Sequence, residues 1–166
     1  MTKQDQTGNE VESLMEDFLS IKRVAVIGVS RDAKDYTRMI YRRFKESGFE
    51  TFAVNPKAAG TQEIDGDVCY SSVTQIPGTP VDGAFLVTHP DMSALVAKEC
   101  VDHGVTRVWM HRSMGQGSYS PEAERYCREH GVSVITKGCV MMYCQADLGH
   151  RLIRWMIGCP KVECAR

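Results

Sequence analysis

The stretch after the first apolar run of this sequence combines a glycine with several basic residues. Gly28 lies near the end of the run Arg23 to Val29, and Arg31, Lys34 and Arg38 follow it. A glycine allows a tight turn at the end of a strand, and the free N–H groups at the start of a following helix attract anions. The second and third glycines of the dinucleotide fingerprint are absent. The pattern therefore predicts a phosphate site that depends on basic side chains.

The stretch after the second apolar run carries a lysine where many nucleotide-binding domains carry an acid. Asn55-Pro56-Lys57 follows the run Glu50 to Val54. In nicotinamide-binding domains an Asp or Glu at this place accepts hydrogen bonds from a ribose hydroxyl. A lysine suits a phosphorylated ribose instead, and a solvated loop lysine is the alternative interpretation. The residue argues against a nicotinamide-dependent oxidoreductase, which stays the alternative function.

Two later runs also end in polar residues. Thr88-His89-Pro90 follows the run Gly83 to Val87, with Asp91 expected to cap the next helix, and His111 follows Thr106 to Met110. The histidine is either a ligand contact or a structural residue at a strand end. No paired carboxylates, nucleophile elbow or Walker loop accompanies these residues. We therefore expect a binding protein without its own catalytic machinery.

The chain contains seven cysteines, an odd number that occurs singly along otherwise globular patterns. We expect reduced structural thiols rather than a disulfide framework, because cysteine is a common buried residue. A thiol or metal module built from Cys139, Cys144 and His150 is the alternative. Zinc ligands usually come in pairs with tighter spacing, so we expect no metal site.

Composition is that of an ordinary globular protein. The chain has 166 residues, 43% of them hydrophobic, and a formal net charge of −1. This size suits one domain, and this charge predicts no general attraction to nucleic acid or an anionic membrane. No apolar run approaches the roughly 20 residues that span a bilayer, and Met1 to Glu12 lacks the apolar core of a signal peptide. We expect residues 1–9 to be disordered, residues 10–166 to form the domain, and the location to be cytoplasmic.

The apolar runs alternate along the chain with segments of helical spacing. The predicted helices are Glu10–Ser20, Thr37–Ser47, Met92–His103, Pro121–His130 and Asp147–Ile157. The predicted strands are Arg23–Val29, Glu50–Val54, Gly83–Val87, Thr106–Met110 and Ser133–Thr136, with Cys69–Val73 as a possible edge element. This alternation predicts a single α/β domain, a Rossmann-like parallel sheet with helices on both faces. Such sheets bind ligands at the carboxyl ends of their strands, beside the switch in strand order.

Several motifs at these strand ends resemble the CoA-binding domain family. That family includes stand-alone bacterial proteins and the N-terminal domain of the succinyl-CoA synthetase alpha subunit. The likeness extends from Arg23 to Trp155. The motifs are Val26-Ile27-Gly28-Val29-Ser30, Tyr36-Thr37-Arg38, Val54-Asn55-Pro56-Lys57, Val108-Trp109-Met110-His111-Arg112, Gly115-Gln116-Gly117 and Gly149-His150-Arg151.

The resemblance implies a ligand and roles for some residues. The loop that matches Gly28 to Lys34 wraps the nucleotide end of CoA in the synthetase, and the lysine that matches Lys57 meets its phosphates. The segment that matches Val87 to Pro90 lines the site. Gly138-Cys139-Val140 is similar to a Gly-Cys-Pro pattern of the family, with valine in place of proline. The synthetase's phosphohistidine lies in a further domain outside this sequence, so we do not expect ligase activity.

Together these features predict a protein that binds coenzyme A or an acyl-CoA. It would act as a carrier, a sensor, a partner of a CoA-using enzyme or a homo-oligomer. The expected ligand contacts are Gly28, Val29, Ser30, Arg31, Lys34, Thr37, Arg38, Asn55, Pro56, Lys57, Thr88, His89, Pro90 and His111.

Overall fold

Side chains along the central strands alternate between two apolar layers, so both faces of the sheet need cover. In β1 (Arg23–Ile27), Val24 and Val26 pack into one layer, whereas Ala25 and Ile27 pack into the other. The structure, a computed structural model, describes residues 8–58, 63–113, 115–159, 161–162 and 164.

Five helices and seven strands make up the described part of the chain. The helices are α1 (Gly8–Ser20), α2 (Tyr36–Glu46), α3 (Pro90–Asp102), α4 (Pro121–Glu129) and α5 (Leu148–Met156). After β1, the strands are β2 (Glu50–Val54), β3 (Glu63–Ile64), β4 (Asp67–Tyr70), β5 (Gly83–Leu86), β6 (Arg107–Met110) and β7 (Ser133–Ile135). Two short 3-10 turns cover Val73–Gln75 and Val140–Met142.

The strands form one sheet in the order β3-β4-β2-β1-β5-β6-β7. All neighbouring pairs are parallel except β3 and β4, which form an antiparallel hairpin. The chain proceeds outward from β1 in one direction and returns to start β5 on its other side. The switch in strand order therefore lies between β1 and β5, where this fold binds ligands. The predicted α/β fold is confirmed.

Each apolar layer has its own helices. The larger layer holds residues of α1, α2 and the second 3-10 turn, with partly buried residues of α5, and the smaller holds residues of α3 and α4. Trp109 on β6 is buried at the centre of the larger layer, 5.3 Å from the Phe18 ring and 5.2 Å from the Phe85 ring. Its Nε1 donates a 3.0 Å hydrogen bond to Lys137 O, which satisfies the one polar atom of the indole.

Helix ends follow the sequence pattern with one correction. Ser120 caps α4 and Pro121 occupies its first turn, as predicted. The predicted cap of α3, Asp91, is wrong, because His89 is the N-cap and its ring accepts from Asp91 N–H. Pro90 directly after the cap explains the shift, since proline fits the first helical position and needs no N–H partner there.

The start of the domain also differs from expectation. Helix α1 begins at Gly8, two residues before the predicted start at Glu10. We expected residues 1–9 to be disordered, but Gly8 and Asn9 belong to α1, and residues 1–7 lie outside the described residues. No helix in the described ranges has both the length and the apolar character that crossing a membrane requires.

Candidate functional site

The turn at the end of β1 brings the backbones of two neighbouring strands close together. Gly28 has a φ of +103°, and its N–H donates a 2.8 Å hydrogen bond to Val54 O. A Cβ atom at Gly28 would lie 2.9 Å from Val87 O, just beyond β5. Only glycine accommodates both the positive φ and this approach. Gly28 therefore shapes the edge of the sheet, and its own N–H is already engaged.

The loop after Gly28 is closed by hydrogen bonds at the start of α2. Thr37 Oγ1 accepts from Ser30 N–H at 2.9 Å and donates to Asp35 Oδ1 at 2.7 Å. Asp35 is the N-cap and also accepts from Thr37 N–H. A carboxylate at this position takes one of the free N–H groups and brings a negative charge to the helix start. An anion here must therefore depend on cationic side chains.

Arg38 is committed to contacts within the protein. Its side chain is only 6% exposed, Nη2 donates to Asp65 Oδ1 at 2.6 Å, and Nη1 donates to Ser30 O at 3.3 Å. The same carboxylate accepts from Arg42, and the two guanidinium groups lower the pKa of Asp65 to about 2. The sequence placed Arg38 among the phosphate ligands. In the structure Arg38 shares the single Asp65 carboxylate with Arg42, and its contacts tie the β1 loop to the β3–β4 hairpin.

Three other predicted cations differ from Arg38 in having no such partner. Arg31, Lys34 and Lys57 are exposed residues on the loops after β1 and β2, which are adjacent strands. Within the described part of the chain, their side chains form no hydrogen bond or ion pair. These three side chains on the described parts of the two loops are available to an anion at this edge.

Asn55 connects the two loops that carry these cations. Its Nδ2 donates a 2.8 Å hydrogen bond to Val29 O, and its Oδ1 accepts from Lys57 N–H at 2.9 Å. The backbone N–H of Asn55 also donates a 2.9 Å hydrogen bond to Tyr70 O at the end of β4. The amide thus sets the position of the Lys57 backbone relative to β1, with the exposed Pro56 between them.

The residues that follow β5 form the N-terminal cap of α3. Thr88 Oγ1 is 2.9 Å from Ser93 Oγ, and the His89 ring lies 3.2 Å from the Asp91 carboxylate. The His89 side chain is 73% exposed. Thr88, His89 and Pro90 therefore lie at the predicted edge, with capping contacts that require no ligand.

The β6 loop begins at His111 and folds back on itself. Ser118 N–H donates a 2.7 Å hydrogen bond to His111 O, and a Cβ at Gly117 would lie 2.3 Å from that oxygen. Arg112 exchanges backbone hydrogen bonds with Gly138, which brings the Val140–Met142 turn alongside. Val140 is the first residue of that turn, a position that proline also fits.

His111 is the one buried imidazole among the described residues. It is 8% exposed, and its ring lies between those of Tyr36, at 5.7 Å, and Phe85, at 6.1 Å. Burial lowers the pKa of His111 to about 4, so the ring is neutral at pH 7. Its Nδ1 is buried and has no hydrogen-bond partner within the described residues. A buried polar atom without a partner is unusual in proteins and calls for an explanation.

A cavity of about 260 Å³ opens beside this ring, and we name it the His111 cavity. It lies at the carboxyl edge, on the sheet face that α2 covers. It is lined by Tyr36, Met39, Ile40, His111, Ser113, Cys139, Met141, Met142, His150 and Ile153.

The cysteine residues depart from the sequence prediction at one pair. Cys144 and Cys164 are joined by a disulfide, with Cα atoms 4.8 Å apart, which corrects the expectation of reduced thiols throughout. The disulfide removes Cys144 from the alternative metal module with Cys139 and His150. No group of three or more metal-ligating side chains occurs among the described residues. Burial raises the pKa of the free Cys139 thiol to about 12, so it is a poor nucleophile.

Comparison with known proteins assigns the chain to a family. Residues 22–145 match the family model of the CoA binding domain. The chain belongs to the CoA-binding domain family. Over 149 residues it is 29% identical to the alpha subunit of the ADP-forming acetate–CoA ligase II from Pyrococcus furiosus. That match covers 84% of this chain and 32% of the subunit, so the chain spans about a third of that relative's length.

Solved structures share the fold of this chain. A hypothetical protein from Pyrococcus horikoshii superposes with a TM-score of 0.71 at 23% identity, covering 85% of this chain and 92% of that one. At that identity the likeness concerns the fold alone. A conserved hypothetical protein from Pyrococcus furiosus has a TM-score of 0.61 at 32% identity, covering 72% of this chain and 97% of that one.

Most residues that line the His111 cavity were not predicted as site residues from the sequence. Met141 and Met142 lie in a 3-10 turn, which is too short to show a periodic pattern of apolar residues. Met39 has the spacing of an ordinary residue of helix α2. The Gly138-Cys139-Val140 resemblance was the one signal that pointed to this turn. His111 itself was among the predicted contacts, and the structure gives it a cavity.

Proposed function

We propose that this CoA-binding domain binds coenzyme A or an acyl-CoA at the carboxyl edge of its sheet. The supporting observation is the set of three exposed cations, Arg31, Lys34 and Lys57, on the loops of two adjacent strands. Phosphate groups accept charge-assisted hydrogen bonds from guanidinium and ammonium groups. Family membership favours CoA as the molecule that brings these phosphates.

In this proposal the residues divide into ligand contacts and positioning residues. Lys57 contacts the ribose phosphate of CoA, and Arg31 and Lys34 contact the pyrophosphate. The loop backbone at Val29 and Ser30 lies against the nucleotide, and Pro56 and residues 88–90 flank it. The positioning residues are Gly28, Thr37, Arg38 and Asn55, whose contacts inside the protein hold the loops in place.

We further propose that the protein works as a carrier or sensor, or beside a CoA-using enzyme, in the cytoplasm. The kinship with a subunit of an acetate–CoA ligase supports an association with CoA chemistry.

Calorimetric titration with CoA, dephospho-CoA and NAD tests the proposal. CoA should bind most tightly, dephospho-CoA more weakly because it lacks the ribose phosphate, and NAD weakest. Lys57→Ala should weaken CoA binding by about 1–3 kcal/mol, the range of one charged hydrogen bond. Lys22→Ala is the matched control, since Lys22 is exposed and precedes β1 at the opposite edge of the sheet. Tighter binding of NAD than of CoA would overturn the proposal in favour of a nicotinamide site.

A further inference from the structure

The walls of the His111 cavity separate into an apolar part and a polar corner. Met39 and Ile40 of α2, Met141 and Met142 of the 3-10 turn, and Ile153 of α5 form the apolar part. Thioether side chains are flexible and polarisable, so they adapt to aliphatic groups of different shape. These walls suit an alkyl group, and a charged or strongly hydrated group would be poorly solvated there.

The polar corner contains a neutral imidazole with unused hydrogen-bonding capacity. His111 lines the cavity, is 8% exposed, and has a buried Nδ1 without a partner among the described residues. A neutral imidazole offers one N–H donor and one acceptor. Because Nδ1 is shut off from solvent, Nε2 is the ring nitrogen that can face a ligand, and its N–H in the matching tautomer would donate a hydrogen bond to a carbonyl oxygen beside the ring. Ser113 and Tyr36 add hydroxyl groups to the same lining.

The position of the cavity relates it to the proposed phosphate loops. His111 follows β6, and the loop with Arg31 and Lys34 follows β1, with β5 between the two strands. Two inter-strand spacings amount to about 10 Å. The pantetheine arm of CoA is an extended chain that reaches across such a distance. Tyr36 and Met39 also belong to the helix that begins at the phosphate loop, so the cavity and this loop share α2.

The size and charge of the cavity restrict its occupant. Sites for whole drug-sized ligands have volumes of about 300–1,000 Å³, so a cavity of about 260 Å³ takes only one end of CoA. At roughly 30 Å³ for a water-sized group, this volume corresponds to a thioester with a few carbons. No Lys or Arg side chain is among the described residues that line the cavity. A carboxylated acyl group such as succinyl would meet only the imidazoles of His111 and of His150, and His150 is already in contact with Asp147 at 2.8 Å.

We propose that the His111 cavity is an acyl-thioester subsite for short, uncharged aliphatic acyl groups. The sulfur and carbonyl of the thioester lie at the polar corner, where His111 donates to the carbonyl oxygen. The alkyl group lies among Met39, Met141 and Met142. This inference rests on the proposed CoA function and names the substrate class of that site.

Titration of the full chain with four ligands tests the subsite. They are adenosine 3′,5′-bisphosphate, CoA, butyryl-CoA and succinyl-CoA. Butyryl-CoA should bind at least about tenfold more tightly than CoA, because it buries additional methylene groups. Succinyl-CoA should lose this advantage. Equal binding of CoA and butyryl-CoA, or a preference for succinyl-CoA, would overturn the subsite while leaving CoA binding intact. Failure of all four ligands to bind would overturn the proposed function itself.

Two variants test whether the His111 cavity is the cause of the preference for butyryl-CoA. Met39→Lys places a cation in the lining at a half-exposed position, so it should reduce the preference for butyryl-CoA and raise that for succinyl-CoA. Met92→Lys is its matched control, because Met92 is 48% exposed on α3, on the opposite face, against 50% for Met39. His111→Phe keeps an aromatic ring and removes the donor, so the ratio of butyryl-CoA to CoA affinity should fall several-fold. Unchanged ratios in both cavity variants, with native circular dichroism, would remove the cavity from acyl recognition.

Discussion

Asp65 accepts hydrogen bonds from two arginines that lie one turn apart on α2, at 2.6 Å from Arg38 Nη2 and 2.9 Å from Arg42 Nε. Asp65 lies at the turn of the β3–β4 hairpin, and its backbone φ is +53°. The two contacts fasten the hairpin to the helix that begins at the candidate phosphate loop. Because Arg38 also donates to Ser30 O, the hairpin, the helix and the loop form one connected unit.

Asp65→Asn should therefore destabilise the protein, by about 1–2 kcal/mol at pH 7 after allowance for solvent screening. The folded pKa of Asp65 is lowered to about 2, below the ordinary value of 3.8. The ionised Asp65 carboxylate therefore stabilises the fold fully above about pH 4, and this contribution is lost as the pH falls towards 2. Urea unfolding across this range should show the wild type and the variant converging at low pH.

Asp91→Asn serves as the control for that comparison. Asp91 is 87% exposed and pairs only with the exposed ring of His89. The free energy of unfolding should change by less than about 0.5 kcal/mol, as is usual for surface substitutions. Equal losses in the two variants would show that the Asp65 contacts add nothing specific.

Gly28→Ala should destabilise the protein far more than an alanine at another positive-φ glycine. Alanine in the left-handed region costs about 1–2 kcal/mol, and at Gly28 its Cβ also meets Val87 O at 2.9 Å. At Gly131 the φ is +68° and no described atom lies within 4 Å of a Cβ, so Gly131→Ala isolates the backbone strain. Thermal unfolding of both variants measures the difference, which should be at least about 1 kcal/mol. Similar melting temperatures would contradict the close approach.

His111 should make the free energy of unfolding depend on pH between 6.5 and 4. Burial lowers its folded pKa to about 4, against 6.5 for the ordinary residue. In this window the unfolded state binds a proton that the folded state does not, so stability falls as the pH falls. The loss should be up to about 3 kcal/mol and should be absent in His111→Phe. Parallel pH profiles for the two proteins would show that His111 is not held neutral.

Reduction of the Cys144–Cys164 disulfide should lower the melting temperature by roughly 5–10 °C. The bond closes a loop with a sequence separation of 20, and such loops contribute about 3 kcal/mol. It joins the segment after α5 to the residues that follow the Val140–Met142 turn, and Arg154 also links these two segments by donating to Met142 O and Val162 O. Cys164→Ser should melt at the lower temperature and should not respond to reductant. A wild type indifferent to reductant would contradict the contribution of the bond.

The sequence was sufficient for features that depend on local pattern. Buried strands such as Gly83–Leu86 read as continuous apolar runs, and the Ser120-Pro121 pair marked the start of α4. Features that depend on distant partners were missed. The engagement of Arg38 requires Asp65, from a hairpin that has no clear strand pattern in the sequence.

The disulfide and the cavity were missed for the same reason. Cys144 meets Cys164 only because of the path that the chain takes after α5. The cavity combines side chains from α2, the β6 loop, a 3-10 turn and α5, and no spacing along one segment reveals that combination. Predicting which polar groups are already satisfied requires the tertiary structure, whereas predicting the edge at which they lie requires only the strand order.

The burial of Trp109 has a spectroscopic consequence. The chain contains two tryptophans, and the second, Trp155 on α5, is 74% exposed. A polar quencher such as iodide should reach the indole of Trp155 and leave that of Trp109 unaffected in the folded protein. Trp109 emission therefore reports the integrity of the core, and Trp155 emission reports the surface of the helix beside the His111 cavity. The molecule carries two intrinsic fluorophores that can be read separately.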